Sequence, residues 1–506
     1  MRYYLTFLLV IILVVFSSCR NDFSTNLSSG NLTFSKDTVF LDTVFTNIGS
    51  STYNLKVYNK SNQAISIPSV KLGKGEESFY RLNVDGIPGK AFEDVEILAN
   101  DSMYVFIETT IDYNETPDPI YTDEIVFDTG INLQDVKLIT LVKDAHFLFP
   151  SKDLNGLLET VNIGIDADGN ETNINGFYLN ENKTFTNGKP YVIYGYCAVP
   201  ENKTLTIEAG ANLHFHSNSG LIVEKNATLI IEGELNNEVL IEGDRLETNF
   251  SNIPGQWGAI WLRAGSKNHN INYAIIKNAS AGIIIDSIGS NSTPTLTIKN
   301  TQIYNSSNFG ILARETNIEG ENLVINNSGQ ASLACIIGGT YNFTHSTFVN
   351  FWNKSFRQYP SVLVNNFFTY EENNNQIVET RDLLAANFTN CIIDGNSNLE
   401  LMIDKVEGSQ FNYMFKNNFI KFNDYNNSYI DIAEYNFEDE SHYSGNILNG
   451  NVDFKSPSDN ELMIGQNSEA IQNANVQGAL LVPNDILGVL RSSPADIGAY
   501  QHILFN

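Results

Sequence analysis

A repeat of about 22 residues constrains the fold of this chain more than any other feature of its sequence. The segments 296–305, 318–327 and 341–350 align without gaps, and an earlier copy ends at residue 278. Each copy closes on an asparagine that follows an Ile or Phe by two positions. These asparagines are Asn278, Asn305, Asn327 and Asn350, separated by 27, 22 and 23 residues. Repetition at this period predicts a stack of similar units.

The composition of the repeat indicates short parallel strands. A step of this length suits one turn of chain made of three strands, with successive turns stacked about 4.8 Å apart. Ile, Val, Phe and Thr dominate, and no 3.6-residue period persists, which disfavours helical-hairpin and leucine-rich repeats. Asn tolerates the left-handed backbone of a turn. The four repeat asparagines are therefore predicted to form a structural ladder in which stacked amides bond to one another.

Several segments resemble a known repeat family. Residues 205–215, 220–223 and 227–233 are similar to early turns of right-handed parallel β-helix proteins with the pectin-lyase-like fold. The run Asp-Ile-Gly-Ala-Tyr, which ends at Tyr500, is similar to their usual last strand. The resemblance implies an all-β chain whose residues 187–506 form a right-handed parallel β-helix. It says little about activity, because one fold serves many functions.

The amino terminus has the pattern of a secreted lipoprotein. A basic start precedes an apolar run at 5–16, which is too short to span a bilayer. The sequence Phe-Ser-Ser-Cys ending at Cys19 resembles a lipobox. The resemblance implies removal of the signal peptide 1–18 and lipidation of Cys19 on a tether at 19–30. Arg20 follows the cysteine, which favours the outer membrane, at its surface or its periplasmic face. An ordinary signal peptide with an incidental cysteine is the alternative.

Residues 31–145 carry the pattern of an Ig-like β-sandwich, and a transitional segment at 146–186 follows. Alternating apolar segments recur at roughly 8–12-residue spacing, separated by turns that contain Gly, Asn and Asp. The run 55–67 resembles bacterial Ig-like domains related to the ASPM/SPD-2/hydin group. The resemblance implies a spacer or a binding module.

Charge and cysteine usage limit the expected partners. The chain carries 30 Lys and Arg against 58 Asp and Glu, a formal net charge of −28. Nucleic acid is not an expected partner, because its binding needs a basic surface. Three cysteines besides Cys19 stand in apolar contexts outside any CxxC motif and are expected to be buried thiols. No motif predicts a metal or a cofactor. Asp166, Asp168 and Asn170 resemble the start of a calcium-binding loop. However, Phe177 occupies the position of the last calcium ligand in such a loop.

A first cluster of candidate ligand-binding residues follows an early turn of the repeat array. Asp244, Arg245 and Glu247 could bind a sugar, with Trp257 or Trp261 stacked on its ring. The structural alternative is a strand-exit turn with a local ion pair, beside tryptophans packed at the edge of the repeat.

A second cluster lies near the end of the clearest repeats. His345, Trp352 and Arg357 could bind an anion or take part in catalysis. The repeat alignment places His345 over Asn322 and Asn300, which favours a polar column in its place.

Two functional hypotheses follow. The first is an envelope lipoprotein, attached to the membrane through its lipid anchor, whose β-helix binds a glycan or protein partner without assigned catalysis. The alternative is a polysaccharide lyase or glycoside hydrolase that acts on a surface or extracellular polysaccharide. A hydrolase needs two carboxylates about 5–9.5 Å apart. The chain lacks the Asp-Asp, Gly-His-Gly and Arg-x-Lys motifs of pectin-hydrolysing relatives, which favours the first hypothesis.

Replacement of Cys19 tests the lipoprotein hypothesis. Cys19→Ala removes the thiol that would receive the lipid, so we expect precursor to accumulate and labelled palmitate to be lost from the protein. Globomycin should have the same effect on the parent chain. Unchanged processing in both experiments would contradict the hypothesis.

Overall fold

The computed structural model describes residues 24–115, 118–166, 168–287, 293–372 and 375–505; Cys19 and its lipobox lie outside these residues. In the described part the chain is all-β with large parallel sheets, and its one α-helix is α1 (Val476–Leu481). No helix there is long and apolar enough to cross a membrane. The chain divides into two compact units, Met1–Asp144 (unit 1) and Ala145–Asn506 (unit 2).

Unit 1 consists of two sheets whose inward side chains form one hydrophobic cluster. Its strands are β1 (Asn26–Leu27), β2 (Thr33–Phe34), β3 (Thr38–Phe45), β4 (Tyr53–Tyr58), β5 (Ile65–Leu72), β6 (Tyr80–Val84), β7 (Ile87–Gly89), β8 (Ala91–Ile97), β9 (Ser102–Thr109), β10 (Ile120–Phe127) and β11 (Gln134–Lys143). One sheet has the order β1-β5-β10-β11-β3, with β8 paired to β5, and the other β2-β4-β9-β6-β7. Burial alternates along β9, where Met103, Val105 and Ile107 face the core. This two-residue period is the apolar alternation seen in the sequence.

Unit 2 begins with short strands separated by turns. Its first strands are β12 (His146–Leu148), β13 (Thr160–Ile165), β14 (Glu171–Tyr178), β15 (Lys183–Phe185), β16 (Tyr191–Ile193), β17 (Tyr196–Val199), β18 (Thr204–Glu208), β19 (Asn212–Phe215), β20 (Gly220–Val223), β21 (Thr228–Glu232), β22 (Val239–Gly243), β23 (Trp257–Leu262), β24 (His269–Asn272), β25 (Ala274–Lys277), β26 (Ala279–Ile285), β27 (Leu296–Lys299) and β28 (Gln302–Ser306). The later strands are β29 (Phe309–Glu321), β30 (Val324–Ser328), β31 (Leu333–Thr344), β32 (Thr347–Asn350), β33 (Val362–Asn365), β34 (Phe367–Glu372), β35 (Asn375–Thr380), β36 (Leu383–Thr389), β37 (Ile392–Gly395), β38 (Leu401–Asp404), β39 (Phe411–Lys416), β40 (Phe419–Ile420), β41 (Tyr443–Ser444), β42 (Ile447–Leu448), β43 (Phe454–Ser456) and β44 (Glu461–Ile464).

The strands of unit 2 pair in three parallel rows. Row A contains β17, β20, β23, β26, the first halves of β29 and β31, β33 and β38. Row B contains β15, β18, β21, β24, β27, the second halves of β29 and β31, β36, β39 and β41. Row C has the order β12-β16-β19-β22-β25-β28-β30-β32-β37-β40-β42. From β16 to β28 the chain returns to row C after every third strand.

Strand register confirms the sequence alignment of the repeats in row C. Ile276 pairs with Ile303, Ile303 with Ile325, and Ile325 with Phe348. These are the residues that precede the repeat asparagines by two positions. All four side chains are buried and stack as one apolar column. Burying each such side chain contributes about 1.5–3 kcal/mol, so a one-residue slip, which would expose the column, is strongly disfavoured.

From β18 onward, the chain turns from row B into row C through a residue with left-handed backbone. The φ values of Asn300, Asn322, His345 and Asn390 are 47°, 52°, 48° and 58°. Their side chains form a column: Asn322 Nδ2 donates to Asn300 Oδ1 at 2.9 Å, and Asn390 Nδ2 donates to His345 Nε2 at 2.8 Å. His345 therefore stands where the neighbouring repeats place asparagine.

The predicted asparagine ladder has a different connectivity. Asn305 Nδ2 donates to Asn278 Oδ1 at 3.4 Å, but Asn305 and Asn327 are linked through Asn460, which bonds to both. Asn350 ends strand β32 and instead exchanges two hydrogen bonds with the backbone of Ser328, at 2.8 and 3.1 Å. The inserted amide comes from a segment more than 130 residues away in the chain.

The carboxyl-terminal part of unit 2 covers the outer side of row C. Apolar residues that point outward from row C join one hydrophobic cluster with residues of the last 55 positions. The row C members include Tyr304, Val324 and Ile392, and the covering residues include Leu462 and Ile497. From β28 onward, the outer apolar residues of row C are therefore packed against this segment.

Replacement of Asn322 tests the turn column. Its amide bonds to Asn300, and its oxygen accepts a 2.7 Å bond from the buried guanidinium of Arg491. We expect Asn322→Ala to lower the free energy of unfolding by about 3 kcal/mol, because it removes a hydrogen-bond acceptor from the buried guanidinium of Arg491 and places Ala in left-handed backbone. Urea titration followed by tryptophan fluorescence measures this, since all three tryptophans lie in unit 2.

Asn268→Ala is the matched control. Asn268 is exposed, has a φ of 56° and accepts one exposed hydrogen bond from Thr293, so its loss should cost about 1 kcal/mol, chiefly for the backbone. Equal losses in the two variants would show that the column bonds contribute nothing.

Candidate functional site

The outer side of row A carries an apolar column. The strand register places Ile222, Trp261, Ile284, Leu312 and Leu363 one above another, with Ala334 between the last two. The hairpin β13–β14 covers the start of this column, where Ile174 and Val161 pack on Ala198 and Ile222. Beyond the hairpin, Ile284 and Leu312 are only partly buried. Between the hairpin and Ala334, row A therefore presents an open outer surface; Ala334 and Leu363 are buried in a further cluster.

Charged side chains on this surface neutralise one another in pairs. Arg263 Nη1 lies 2.8 Å from Glu224, and Arg314 Nε lies 2.7 Å from Asp286. Trp261 Nε1 also donates to Asp286, at 2.7 Å. These pairs stabilise adjacent strands but leave little net charge beside the apolar column.

A groove of about 430 Å³, the Phe309 groove, lies along the outer side of row A. Tyr196, Phe309 and Leu312 form its walls, and Gly258 and Ala281 lie among the small residues that line it. A Cβ atom on Gly258 would lie 2.2 Å from the hydroxyl of Tyr196, so only glycine permits the tyrosine ring to lie here. Amide side chains also line the groove, from Asn218, Gln256 and Asn308.

A second cavity of about 680 Å³, the His216 cavity, adjoins the groove. Ser217 and Asn218 line both. Its other polar lining residues are Lys152, Asn175, Tyr194 and His216. Each of the two depressions falls in the range of about 300–1,000 Å³ that is typical of ligand sites.

Asp244, one of the predicted ligand-binding residues, holds His216 in place. Its Oδ2 lies 2.7 Å from His216 Nδ1. Asp244 is only 12% exposed, whereas 45% of the His216 side chain is exposed. The Tyr194 ring lies 4.5 Å from the imidazole. Burial, and then the negative charge of Asp244, raises the pKa of Tyr194.

The remaining residues of the first predicted cluster have mainly structural contacts. Arg245 Nη2 pairs with Glu247 at 2.9 Å and its guanidinium covers the ring of Phe250. Trp257 is 1% exposed and stacks on Phe215 in the core. Trp261 lies on the outer side of row A.

The second predicted cluster is buried. Arg357 makes a bidentate ion pair with Glu400 at 2.6 and 2.7 Å, and Trp352 Nε1 donates to Ser355. His345 is fully buried between Asn390 and the Gly498 carbonyl. Burial, followed by the charge of Arg491, lowers its pKa well below the usual value. The structure therefore separates these residues from the open groove.

Of the candidate ligand-binding residues, Trp257 alone lines the groove; sequence reasoning missed Tyr194, Tyr196, His216 and Phe309. A signal for His216 did exist. Strand β19 pairs with β22 so that residues 212–215 lie beside 240–243. This pairing places His216 beside Asp244 of the next repeat. The tyrosines and Phe309 carry no comparable signal, since outward aromatic residues also occur where another segment covers them.

The thiols and acidic turns show no reactive arrangement in the described residues. Cys197, Cys335 and Cys391 are buried and form no disulfide, and burial raises the pKa of Cys197 and Cys391 to about 12. Within the part of the chain that the structure describes, no group of three or more His, Cys, Asp or Glu residues is placed to hold a metal ion. Asp166 instead accepts hydrogen bonds from the backbone N–H groups of Asp168 and Asn170 within one turn.

Comparison with known proteins does not identify the chain. No protein-family model matches it, and no curated protein matches it. Among solved structures, one match is a family 123 glycoside hydrolase from Clostridium perfringens, solved in a study of glycolipid glycan hydrolysis. The match has 9% sequence identity and a TM-score of 0.16, and it covers 23% of this chain and 30% of the hydrolase. At this TM-score the likeness defines neither the fold nor the activity of this chain.

Replacement of His345 by asparagine tests the neutral, buried state of this histidine. The pKa of His345 is lower in the folded chain than in the unfolded chain. Below pH about 6.5, the imidazole therefore takes up a proton in the unfolded chain before it does so in the folded chain. Stability should therefore fall with decreasing pH, by about 1.4 kcal/mol per pH unit for this group. His345→Asn keeps a residue that tolerates the left-handed turn, so urea titrations between pH about 7 and 5 should show a shallower loss. An unchanged slope would contradict the assignment.

Proposed function

We propose that this chain is an envelope lipoprotein that binds a glycan along the outer side of row A. Lipidation of Cys19, an outer-membrane location and the tether rest on the sequence. In this proposal unit 1 is an Ig-like sandwich and unit 2 is a right-handed parallel β-helix. The single hydrophobic cluster between the two sheets of unit 1 supports the first. The return to each row after three strands supports the second, and crossovers between parallel strands are almost always right-handed.

The observation that carries the binding proposal is the continuity of the Phe309 groove and the His216 cavity on an uncovered sheet surface. The carboxyl-terminal segment packs on row C, and β13–β14 packs on the start of row A. The groove and the cavity share Ser217 and Asn218, so an extended ligand could occupy both.

The chemistry of the groove favours a sugar chain over a flat apolar partner. Sugar rings present C–H faces that pack on aromatic rings and hydroxyl groups that bond to amides. Tyr196 and Phe309 supply the rings, and Asn218, Gln256 and Asn308 supply amides. A protein partner is the other kind of ligand for such a surface, and glycan and protein ligands give opposite results in the array experiment below.

Glycoside hydrolysis receives no support from the carboxylates near the groove. Asp244 bonds to His216, Glu247 to Arg245, and Asp286 to Arg314 and Trp261. A hydrolase needs one carboxylate as proton donor and a second as base or nucleophile across the scissile bond. Binding therefore accounts for these contacts better than hydrolysis.

Phe309→Ala tests the groove. A glycan array probed with the full-length chain in detergent identifies a ligand, whose affinity is then measured by calorimetry. We expect the variant to bind about tenfold more weakly, equivalent to about 1.4 kcal/mol, because one aromatic wall is lost. Phe356→Ala is the control, since Phe356 is 90% exposed and lies outside the groove. No glycan binding by the parent, or equal losses in both variants, would contradict the proposal.

A further inference from the structure

A surface of exposed aliphatic side chains lies near the carboxyl end of unit 2. Its members come from α1 and from the turn that follows this helix, and each is between 46% and 75% exposed: Val476, Leu480, Leu481, Leu487, Val489 and Leu490. We call this surface the Leu490 patch. Val476 and Leu480 share one face of α1, because they are four residues apart. Leu235 borders the patch, since a Cβ atom on Gly488 would lie 2.7 Å from a Leu235 side-chain carbon.

Hydrogen bonds hold the end of α1 and the following turn together. Arg491 N donates to the Pro483 carbonyl at 2.8 Å, and Arg491 Nε donates to the Val482 carbonyl at 3.1 Å. Asn484 and Leu490 pair in an antiparallel bridge. These contacts place Leu490 beside the end of the helix, so the helical and turn members form one continuous surface.

The turn keeps its apolar side chains outward in a fixed conformation. The Asp485 carboxylate, which is only 2% exposed, accepts hydrogen bonds from Leu487 N at 2.9 Å and from Val489 N at 2.8 Å. Gly488, between them, has a φ of 77°. A surface that is ordered before binding loses less conformational entropy when a partner docks.

The Leu490 patch carries no exposed charge, although the protein is strongly acidic. The chain has a formal net charge of −28. Residues 470–495, all of which the structure describes, contain two charged side chains, Asp485 and Arg491, and these are only 2% and 7% exposed. Two copies of the chain repel each other through their net charge. Close approach is therefore least unfavourable at this patch.

The patch is also large enough for a stable interface. Burying a Leu or Val side chain removes about 100 Å² of apolar surface from water, so the six side chains offer roughly 600 Å². A standard interface buries about 800 Å² on each partner, of which about 65%, or roughly 500 Å², is apolar in homodimers. Monomers rarely expose a contiguous apolar patch of more than a few hundred Å².

From its size, rigidity and lack of charge, we propose that the Leu490 patch joins two copies of this chain in a dimer with two-fold symmetry. Such an interface places the same patch on both subunits, and a wholly aliphatic patch is complementary to itself. Homodimer interfaces are also more apolar than interfaces between different proteins.

The composition of the patch favours a second copy over a lipid bilayer. Segments that bind a bilayer surface usually have Trp, Lys or Arg at their border. Here Arg491 is buried, and the three tryptophans of the chain lie outside residues 470–495. The dimer is independent of the proposed glycan binding, because the patch shares no residue with the Phe309 groove or the His216 cavity.

Cross-linking of the full-length chain in its membrane tests the dimer. Leu481→Cys, Leu487→Cys and Leu490→Cys are made separately; the three cysteines besides Cys19 are buried and do not compete for the reagent. A short bismaleimide joins exposed thiols, and a denaturing gel separates the products. We expect at least one of these variants to give a product of twice the chain mass, which the parent chain does not give.

Leu154→Cys is the matched control for random collision in the membrane, because Leu154 is fully exposed and lies between β12 and β13. Addition of Leu480→Asp to the cross-linking variant should lower the cross-linked fraction about tenfold or more, since like charges would then face each other across the interface. Leu480 is 68% exposed, so this change should leave the urea unfolding midpoint unaltered.

Three results would overturn the dimer. They are cross-linking no greater than that of Leu154→Cys, cross-linking that Leu480→Asp leaves unchanged, and patch thiols that the bilayer protects from maleimide without any cross-link, which would indicate a lipid contact. Glycan binding by the Leu480→Asp variant is measured in parallel. Its persistence would keep the proposed function whatever the outcome for the dimer.

Discussion

The left-handed turn between row B and row C is the constraint on which the rest of unit 2 depends. Successive repeats keep their parallel register only if each turns at the equivalent residue. A slip of one residue would move every apolar side chain to the opposite side of its sheet. Tyr273, Asn300, Asn322, His345 and Asn390 all adopt positive φ at this turn. Left-handed backbone is unfavourable for most residues, and Asn reduces that cost through its short amide. The amide bonds between neighbouring turns offset part of what remains.

Two covering segments then decide where a ligand can bind. From β28 onward, row C is covered by the carboxyl-terminal segment, whose Leu462 and Ile497 pack on its outer apolar residues. The start of row A is closed by β13–β14. What remains open is a strip in which the charges are already paired, so shape, aromatic rings and amides determine recognition. The His216 cavity adjoins that strip, and there Asp244 holds the imidazole of His216 in place.

The two tryptophans of strand β23 show why the candidate site could be predicted only in part. Trp257 and Trp261 are four residues apart, so a regular strand would place them on the same side. The register with β26 shifts between Ala259 and Ile260. As a result Trp257 packs in the core and Trp261 faces outward. Such an irregularity leaves no signature in composition, and neither tryptophan could be assigned to a side from the sequence.

The sequence by itself determined the repeat period, the pairing of Ile276, Ile303, Ile325 and Phe348, and the burial of the three thiols, because each follows from a local, periodic pattern of apolar residues. Only the tertiary structure decided that Asn460 enters the asparagine ladder, that Arg357 is neutralised by Glu400, and that His216 faces an open cavity. These contacts join residues between 43 and 155 positions apart or depend on which surface another segment leaves uncovered. No short-range pattern encodes them, since they arise from the way that distant segments fold back on the stacked strands.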